Sequence, residues 1–301
     1  MMSRSSLLLL YKEAGITSFS SLKPVKRTID RKVGHAGTLD KFAEGLMVVL
    51  TGSYTKLNPL LSELDKRYEA TIMFGSETST LDPEGDVVAT AEAPHLDTIR
   101  KVLEEQFLGT IVQSPPVYSA VHIDGKRAYR LARSGEDVKM PEREITIFSL
   151  DILTWESPLL RVAVHCSKGT YIRSLARDIA VSCGSRGHLI ALKRTAIGPF
   201  SLDEAVDPED AEALSEHAET SGTRLLRIPR MGSMTVDAEA AKRLMYGNLP
   251  PRRAIIASSV VHGDTFATVQ DVSGRILAVV GIDGEGVPIK VFSLPCMESR
   301  I

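Results

Sequence analysis

A glycine-rich stretch that ends in an acidic residue is the first place where this sequence gathers side chains suited to catalysis. Residues Gly34–Leu46 have the sequence Gly-His-Ala-Gly-Thr-Leu-Asp-Lys-Phe-Ala-Glu-Gly-Leu, in which Asp40 stands just before a largely apolar segment. We expect a helix at Gly45–Val49, so Asp40 is either a fixed, partly desolvated carboxylate available for chemistry or the N-cap of that helix. The stretch lacks the Gly-Lys-Ser/Thr ending of a phosphate-binding loop, which argues against nucleotide hydrolysis.

A second stretch places an arginine where it could serve a carboxylate or a phosphate. A predicted strand at Leu159–His165 leads into a turn at Gly169, and a predicted helix follows at Tyr171–Val181. Arg173, near the start of that helix, could pair with a buried carboxylate or hold a phosphate through two parallel hydrogen bonds. The alternative is an ordinary arginine on the surface of a capped helix.

A third candidate is Tyr68, which opens a predicted strand after the charged residues Asp65, Lys66 and Arg67. An aromatic ring at such a position can also be a core residue with a hydrated hydroxyl group. Taken singly, each of the three candidates has an ordinary structural explanation.

Alternating and β-branched segments predict the strands that position these candidates, and helical periodicity predicts the helices. The remaining predicted strands up to residue 200 are Glu69–Phe74, Asp86–Thr90 and Glu144–Leu153, and the remaining helices are Ser20–Ile29 and Leu96–Leu103. The basic segment Gln113–Pro141, rich in proline and glycine, predicts a projecting loop or hairpin with a short helix at Ala128–Ser134. The acidic segment Asp203–Thr220 predicts a surface helix and connector.

The last part of the chain predicts a small module of about 60 residues that is mostly strand. A helix at Ala238–Met245 is followed by four strand-like segments separated by turn signals. These segments are Ala254–Val261, Thr265–Val272, Ile276–Ile282 and Val287–Phe292. A unit of that size is plausible as an accessory domain.

Composition excludes several classes of protein. A chain of 301 residues that is 43% hydrophobic and 25% charged is typical of a globular protein and not of a disordered, collagen-like or coiled-coil one. No apolar run approaches the ~18 residues of a membrane helix. The three cysteines are far apart, which favours a reducing compartment over a disulfide framework or a zinc site. We therefore expect a soluble, cytoplasmic protein.

Charge is segregated along the chain although the net charge is only −2. Seven Lys or Arg residues lie in positions 1–35 and seven in 161–194, whereas 201–220 contains eight acids and no Lys or Arg. Such segregation can create a positive face for a phosphate-bearing partner, or the basic stretches are simply solvated helix faces.

Considered together, the three stretches resemble one family in their order and wording. From Leu7 to about Phe200 the chain resembles the bacterial TruB-type tRNA pseudouridine synthases, which isomerise uridine 55 in the T-loop. The motifs that carry this resemblance are Gly34-His35…Gly37…Leu39-Asp40, Lys66-Arg67-Tyr68, Phe74-Gly75…Thr78-Ser79-Thr80…Asp82…Gly85, Pro116-Val117-Tyr118-Ser119-Ala120, Gly125-Lys126…Tyr129…Ala132-Arg133…Gly135, His165–Arg173 and Leu192-Lys193-Arg194-Thr195. The chain departs from the family at Lys12-Glu13 and Asp40-Lys41, where the family commonly has Lys-Pro and Asp-Pro.

The resemblance implies a role for each candidate residue. Asp40 is expected to be the catalytic aspartate, Arg173 its ion-pair partner and Tyr68 the ring that stacks on the target base. His35 is expected to help hold flipped T-loop nucleotides, and Leu192 to line the uracil pocket. Tyr171, Lys12, Lys126 and Arg133 complete the expected substrate-binding set, in which the basic residues contact phosphates together with further lysines and arginines that include Arg194.

The resemblance also implies the architecture: an α+β pseudouridine-synthase fold whose central sheet is mixed, mostly antiparallel and flanked by helices and loops. We expect a catalytic domain at residues 1–230, with an RNA-binding insertion at about 113–141. A small, mostly-β RNA-binding domain of the PUA type is expected at 234–295. The T-arm of tRNA is the expected partner, and we expect no cofactor, metal, membrane contact or obligatory protein partner.

Three alternative functions remain open at this point. The chain could be a tRNA-binding or tRNA-folding module that acts mainly as an RNA chaperone, or a pseudouridine synthase for another RNA. A nucleoside hydrolase for free substrates is the third, although the basic segment Gln113–Pro141 argues against it.

Overall fold

The computed structural model describes residues 5–119, 122–123, 126–128, 140–244 and 246–293, in two large sheets and two short hairpins. In chain order, the strands of the first part are β1 (Leu7–Lys12), β2 (Val33–His35), β3 (Glu44–Thr51), β4 (Lys66–Phe74), β5 (Ser76–Thr78), β6 (Val87–Thr90), β7 (Gly109–Gln113), β8 (His122–Ile123), β9 (Lys126–Arg127), β10 (Arg143–Glu156), β11 (Leu159–Cys166), β12 (Gly187–Ile197) and β13 (Phe200–Ser201). The last part adds β14 (Met231–Val236), β15 (Ile255–Ser258), β16 (Phe266–Gln270), β17 (Ile276–Ile282) and β18 (Pro288–Ser293).

The helices are short and lie between these strands. They are α1 (Ser18–Ser21), α2 (Lys23–Thr28), α3 (Asn58–Ser62), α4 (Leu96–Gln106), α5 (Ile172–Ser182), α6 (Ala211–His217) and α7 (Ala238–Leu244). Short 3-10 helices occur at Gly52–Leu57, Leu202–Glu204, Thr223–Arg227 and Arg252–Ala254. Among the described residues, no helix is long and apolar enough to cross a membrane.

The central sheet has nine strands in the order β1-β3-β12-β4-β11-β10-β7, with β2 on β3 and β13 on β12. Every pair is antiparallel except β3 and β12, which run parallel where Glu44 and Gly45 face Lys193 and Arg194. Strand β4 is buried at every second residue, so one of its faces packs into the core and the other is partly open. Helices α4 and α5 cover the sheet with the apolar faces that their periodicity predicts. The expected mixed, mostly antiparallel α+β fold is confirmed.

The helix expected at Gly45–Val49 is wrong: this segment belongs to strand β3. Its apolar run continues to Leu50 without helical periodicity. Both faces are buried, because Met47 and Val49 pack into one apolar cluster, whereas Leu46, Val48 and Leu50 pack into another. A short apolar run of this kind does not distinguish a buried strand from a buried helix. As a result, Asp40 has no following helix to cap, and the N-cap interpretation falls.

The other expected elements lie close to their predicted bounds, with local differences. The helix expected at Ser20–Ile29 is divided at Leu22, and Pro24 occupies the first turn of α2, where a missing N–H is harmless. The acidic segment Asp203–Thr220 contains a 3-10 turn and the short helix α6. Most of the helix expected at Ala128–Ser134 lies outside the described residues.

The C-terminal strands form a second sheet in the order β15-β14-β16-β17-β18, with β14 and β16 parallel. One face packs against α7, and the other contributes Val279 to an apolar cluster shared with Leu7, Leu46 and Tyr54 of the first part. The two sheets therefore share a core. The domain bounds 1–230 and 234–295 remain predictions.

Candidate active site

A cavity of about 510 Å³ opens where β4 and β12 meet the loop before β3 and the start of α5. Six residues with a predicted role line it: Asp40, Tyr68, Tyr171, Arg173, Leu192 and Arg194. Their positions span more than 150 residues of sequence, so the cavity exists only because the central sheet brings these segments together.

Asp40 is held against the cavity wall by the guanidinium of Arg173. The Nε atom of Arg173 lies 2.9 Å from Asp40 Oδ2, and its Nη2 donates a hydrogen bond to Oδ1 at 3.1 Å. The residue before Asp40 is fixed as well, because the Ser18 hydroxyl accepts from the backbone N–H of Leu39 and donates to its carbonyl, both at 2.9 Å. Asp40 is thus oriented from both its side chain and its backbone.

The same guanidinium binds a second carboxylate, that of Asp82, which belongs to one of the family motifs but had no predicted role. Arg173 Nη1 lies 3.1 Å from Asp82 Oδ2, and its remaining hydrogen bonds go to the carbonyls of Thr80 and Tyr118 at 2.9 and 3.1 Å. Asp82 accepts further hydrogen bonds from the Thr80 hydroxyl and the backbone N–H of Glu84. Since a planar guanidinium has a fixed fork of donors, these contacts determine its orientation.

Burial raises the pKa of Asp40 above that of an ordinary aspartate, and the negative charge of Asp82 raises it further. Arg173 opposes the effect of burial through its charge and its hydrogen bond. The carboxylate still faces the cavity, since the side chain of Asp40 is 39% exposed whereas that of Arg173 is 6% exposed. Asp40 is therefore reachable by a ligand while its partner lies behind it.

Tyr68 and Leu192 form the apolar part of the cavity wall. Tyr68 lies on β4 opposite Arg194 of β12, and Leu192 lies two residues earlier on the same face of β12. Burial raises the pKa of the Tyr68 phenol, while the charge of Arg194 and its hydrogen bond to the hydroxyl act in the opposite direction. The side chains of Tyr68 and Leu192 are both buried, so this wall excludes water.

Arg194 was expected at a phosphate, and the structure corrects this expectation. Its side chain is 1% exposed and donates to the carbonyls of Leu46 at 2.8 Å and Gly37 at 3.0 Å. The parallel contact of β3 and β12 is so close that a Cβ atom on Gly45, whose φ is +112°, would lie 2.3 Å from the Arg194 carbonyl oxygen. Through these two hydrogen bonds, Arg194 fixes the loop that carries Asp40 at Gly37 on one side and at Leu46 on the other.

Lys12 was also expected at a phosphate, and it too is buried instead. Its ammonium group donates to the carbonyls of Glu13, Lys41 and Ala43, at 3.0, 3.3 and 2.5 Å. Burial lowers the pKa of Lys12 to about 8, against a smaller opposing effect of the Asp40 charge. A fully buried ammonium with three carbonyl partners cannot reach RNA, so the expectation of a phosphate contact at Lys12 is wrong. Lys12 supports the backbone that follows Asp40.

The remaining predicted residues lie in different places. Tyr171 lines the cavity and is fixed by Gln113, whose side-chain oxygen accepts from its N–H at 2.8 Å and whose amide donates to its carbonyl at 3.1 Å. His35 on β2 lines a neighbouring groove, and burial lowers the pKa of its imidazole. Lys126 belongs to β9, but its side chain and all of Arg133 lie outside the described residues.

Electrostatically, the cavity suits a ligand that becomes negatively charged. Its described lining contains three cationic side chains, Lys66, Arg173 and Arg194, and Asp40 as the only carboxylate. Burial lowers the pKa of Lys66 to about 8, so this lysine is still largely protonated at neutral pH. Fixed positive groups in a water-poor site stabilise developing negative charge without reorganisation. Among the described residues, no group of His, Cys, Asp and Glu is arranged to hold a metal ion.

Comparison with known proteins identifies the family. Residues 26–172 match the TruB family pseudouridylate synthase (N terminal domain) model. The chain is 46% identical over 205 residues to tRNA pseudouridine synthase B of Borreliella burgdorferi (strain ZS7). The aligned region covers 67% of this chain and 72% of that protein. It is 39% identical over 284 residues to the enzyme of the same name from Borreliella afzelii (strain PKo), over 93% of this chain and 96% of that one.

Solved structures with low sequence identity share the fold. A chain from an H/ACA RNP bound to a substrate RNA containing 2'-deoxyuridine has a TM-score of 0.69 at 20% identity, covering 96% of this chain and 83% of that chain. A chain from a Cbf5-Nop10-Gar1 complex has a TM-score of 0.68 at 23% identity, covering 95% and 84%. The identity and coverage of the relatives, the family match and the shared fold agree: this chain belongs to the TruB family of pseudouridylate synthases, enzymes that isomerise uridine to pseudouridine.

Proposed function

We propose that this protein converts uridine 55 in the T-loop of tRNA to pseudouridine, with Asp40 as the catalytic carboxylate. The relatives named tRNA pseudouridine synthase B support tRNA as the substrate. The observation that carries the role of Asp40 is its carboxylate, bound by the buried guanidinium of Arg173 and still open to the cavity.

The reaction breaks the N1–C1′ glycosidic bond and forms a C5–C1′ bond after the uracil has rotated. The proton lost from C5 is balanced by the one gained at N1, so no oxidant, reductant or energy source is consumed. Most glycosidases need a second carboxylic acid to protonate a poor leaving group. A uracil anion delocalises its own charge, so one carboxylate suffices, and Asp40 acts on the sugar as nucleophile at C1′ or as the base that begins glycal formation.

Arg173 keeps Asp40 ionised and aimed. Burial alone would favour the protonated acid, which can neither attack C1′ nor remove a proton. The guanidinium opposes burial and does not itself titrate near neutrality. Lys66, Arg173 and Arg194 then face the uracil as it carries negative charge, while Leu192 helps to exclude the water that would hydrolyse the cleaved sugar.

Tyr68 provides the surface on which the target base stacks. Stacking of a base on an aromatic ring contributes about 1–3 kcal/mol, which offsets part of the few kcal/mol needed to swing the uridine out of its loop. We further assign to its hydroxyl, which bonds to Arg194, a part in removing the C5 proton after the new bond has formed.

The decisive experiment is to incubate the protein with unmodified tRNA and to map pseudouridine by position. Formation of pseudouridine at position 55 alone supports the proposal. Formation in a different RNA or at another position would indicate a pseudouridine synthase with another substrate. If no pseudouridine forms, the proposed function is rejected. Asp40→Asn removes the charge with little change in shape, so product should disappear while tRNA affinity stays within about tenfold. A variant that loses affinity and activity equally would make Asp40 structural.

An RNA chaperone is one of the alternatives, and Asp40→Asn distinguishes it from the enzyme. A chaperone would retain its effect on tRNA folding in this variant, because binding does not require the carboxylate.

We also assign RNA contacts to the 113–141 insertion and to the sheet β14–β18, and we place the protein with its substrate in the cytoplasm.

A further inference from the structure

Tyr171 lines the catalytic cavity at the point where the loop after β11 enters helix α5. Its backbone is extended, with φ of −98° and ψ of 108°, so its N–H precedes the helical hydrogen bonds and needs a partner from outside the helix. Arg173, which binds the Asp40 carboxylate, follows two residues later. A shift of the Tyr171 backbone would therefore move this guanidinium as well as the tyrosine ring.

Gln113, the last residue of β7, supplies that partner through its side chain. Its amide oxygen accepts from the N–H of Tyr171 at 2.8 Å, and its amide nitrogen donates to the Tyr171 carbonyl at 3.1 Å. Gln113 is buried and does not belong to the described lining of the cavity. The two hydrogen bonds fix the backbone of Tyr171, and they need a side chain that has both a donor and an acceptor.

Arg143, the first residue of β10, contacts the ring of the same tyrosine. It pairs with Gln113 where β7 and β10 run antiparallel. Its guanidinium carbon lies 5.4 Å from the centroid of the Tyr171 ring, which is within the range of a cation–π contact. Arg143 also lies outside the described lining of the cavity. Two residues that are paired on neighbouring strands thus contact the backbone and the ring of one cavity residue.

We propose that Gln113 and Arg143 are positioning residues for the isomerisation, which act through Tyr171 and do not contact the RNA. The Gln113 amide fixes the start of α5 and, with it, the guanidinium that orients Asp40. The Arg143 side chain fixes the angle of the tyrosine ring in the cavity. The inference rests on the proposed function and adds two residues that support its site. Because a reacting group misplaced by ~1 Å can slow a reaction about 100-fold, loss of either contact should affect the chemical step more than RNA binding.

Single-turnover conversion of unmodified tRNA, followed over a range of excess protein concentrations, separates positioning from a merely structural role. Partly misfolded protein raises the half-saturating concentration but not the maximal rate, because only the folded complex sets the rate at saturation. Gln113→Glu, which keeps the acceptor and loses the donor, and Arg143→Ala should each lower the maximal rate about 10- to 30-fold. Their half-saturating concentrations should stay within about threefold of the wild type. Glu144→Gln, at an exposed position next to Arg143 on β10, is the matched control and should change neither value more than about twofold.

A double-mutant cycle tests whether Arg143 acts through the ring of Tyr171. Arg143→Ala should lower the maximal rate of the wild type about 10-fold or more and that of Tyr171→Leu less than about twofold, since the ring is then absent. An equal effect in both backgrounds would overturn this inference alone, as would an unchanged maximal rate in Gln113→Glu or Arg143→Ala. A wild type that does not convert the tRNA would instead reject the proposed function, and this inference with it.

Discussion

Arg173 contacts the Asp40 carboxylate through two nitrogen atoms. Its Nε lies 2.9 Å from Asp40 Oδ2, and its Nη2 lies 3.1 Å from Asp40 Oδ1. These two residues are 133 positions apart in the sequence, yet their contact defines the wall of the cavity. An ion pair of this form orients a carboxylate as well as keeping it charged.

Arg173→Lys tests the importance of that orientation. A lysine keeps the positive charge but has no planar fork, so it cannot hold Asp40, Asp82 and two carbonyl groups at once. We expect the single-turnover rate to fall by about 100-fold or more, because misplacement of a reacting group by ~1 Å has that effect. Arg177→Lys, one turn later on α5 and outside the described cavity lining, should change the rate less than about threefold. A near-normal rate in Arg173→Lys would mean that charge alone suffices.

Asp82→Asn tests the pKa of Asp40. The reaction needs the ionised carboxylate, so activity falls at low pH as Asp40 is protonated, and the Asp82 charge helps to raise the pKa at which this happens. Removing that charge should shift the acid limb of kcat/KM to lower pH, while the plateau falls about tenfold because Arg173 loses an anchor. Asp178→Asn, whose partner is Arg177, is the control and should leave the acid limb in place. An acid limb that stays or moves upward in Asp82→Asn would exclude this coupling.

Tyr68→Phe and Tyr68→Leu separate stacking from proton transfer. Phenylalanine keeps the ring, so tRNA affinity should stay within about threefold, while the rate of product formation should fall by about 10² if the hydroxyl helps to remove the C5 proton. Leucine should also weaken binding by about 1–3 kcal/mol. Release of tritium from RNA labelled at uridine C5 measures the rate, and filter binding measures the affinity. A wild-type rate in Tyr68→Phe would limit Tyr68 to stacking.

Glu204→Gln tests an ion pair that supports the fold and lies outside the described lining of the cavity. Arg227 donates to both carboxylate oxygens of Glu204, at 2.6 and 2.7 Å, and holds its pKa at about 2, below the ordinary 4.5. Because the folded-state pKa is depressed, the stabilisation is present above about pH 4.5 and is lost as the pH falls towards 2.

For this partly exposed pair we expect Glu204→Gln to lower the free energy of unfolding by about 1 kcal/mol at pH 7. The difference from the wild type should shrink at pH 3, and urea unfolding at both pH values measures it. Glu69→Gln, which breaks a more exposed pair with Arg161, should have a smaller effect. A difference that grows as the pH falls would contradict the assigned pKa direction.

The sequence predicted the residues of the cavity well, because motifs carry them. It predicted poorly those features that depend on which segments are buried in the folded protein. The family resemblance selected Asp40, Tyr68 and Arg173, and the need of a buried carboxylate for a cation explains why the last of these must lie beside the first. Strand β3 was predicted as a helix because an apolar run buried on both faces has no periodicity to reveal its structure.

Lys12 illustrates the opposite difficulty, since a lysine ordinarily indicates a surface. Only the tertiary structure shows that its ammonium group replaces water with three carbonyl oxygens. Asp82 was visible in the sequence as part of a motif, but which acid shares a guanidinium depends on how β5, α5 and the Asp40 loop meet in space.

The close approach of β3 and β12 also limits how the protein can change. Position 45 has room for a hydrogen atom and nothing larger, although its residue takes no part in any chemistry. A library that samples every amino acid at every site should recover only glycine there, since any replacement would prise the aspartate loop away from the strand beneath it. Lys41, whose side chain is exposed, is a better position at which to vary the sequence in order to change where the Asp40 carboxylate lies.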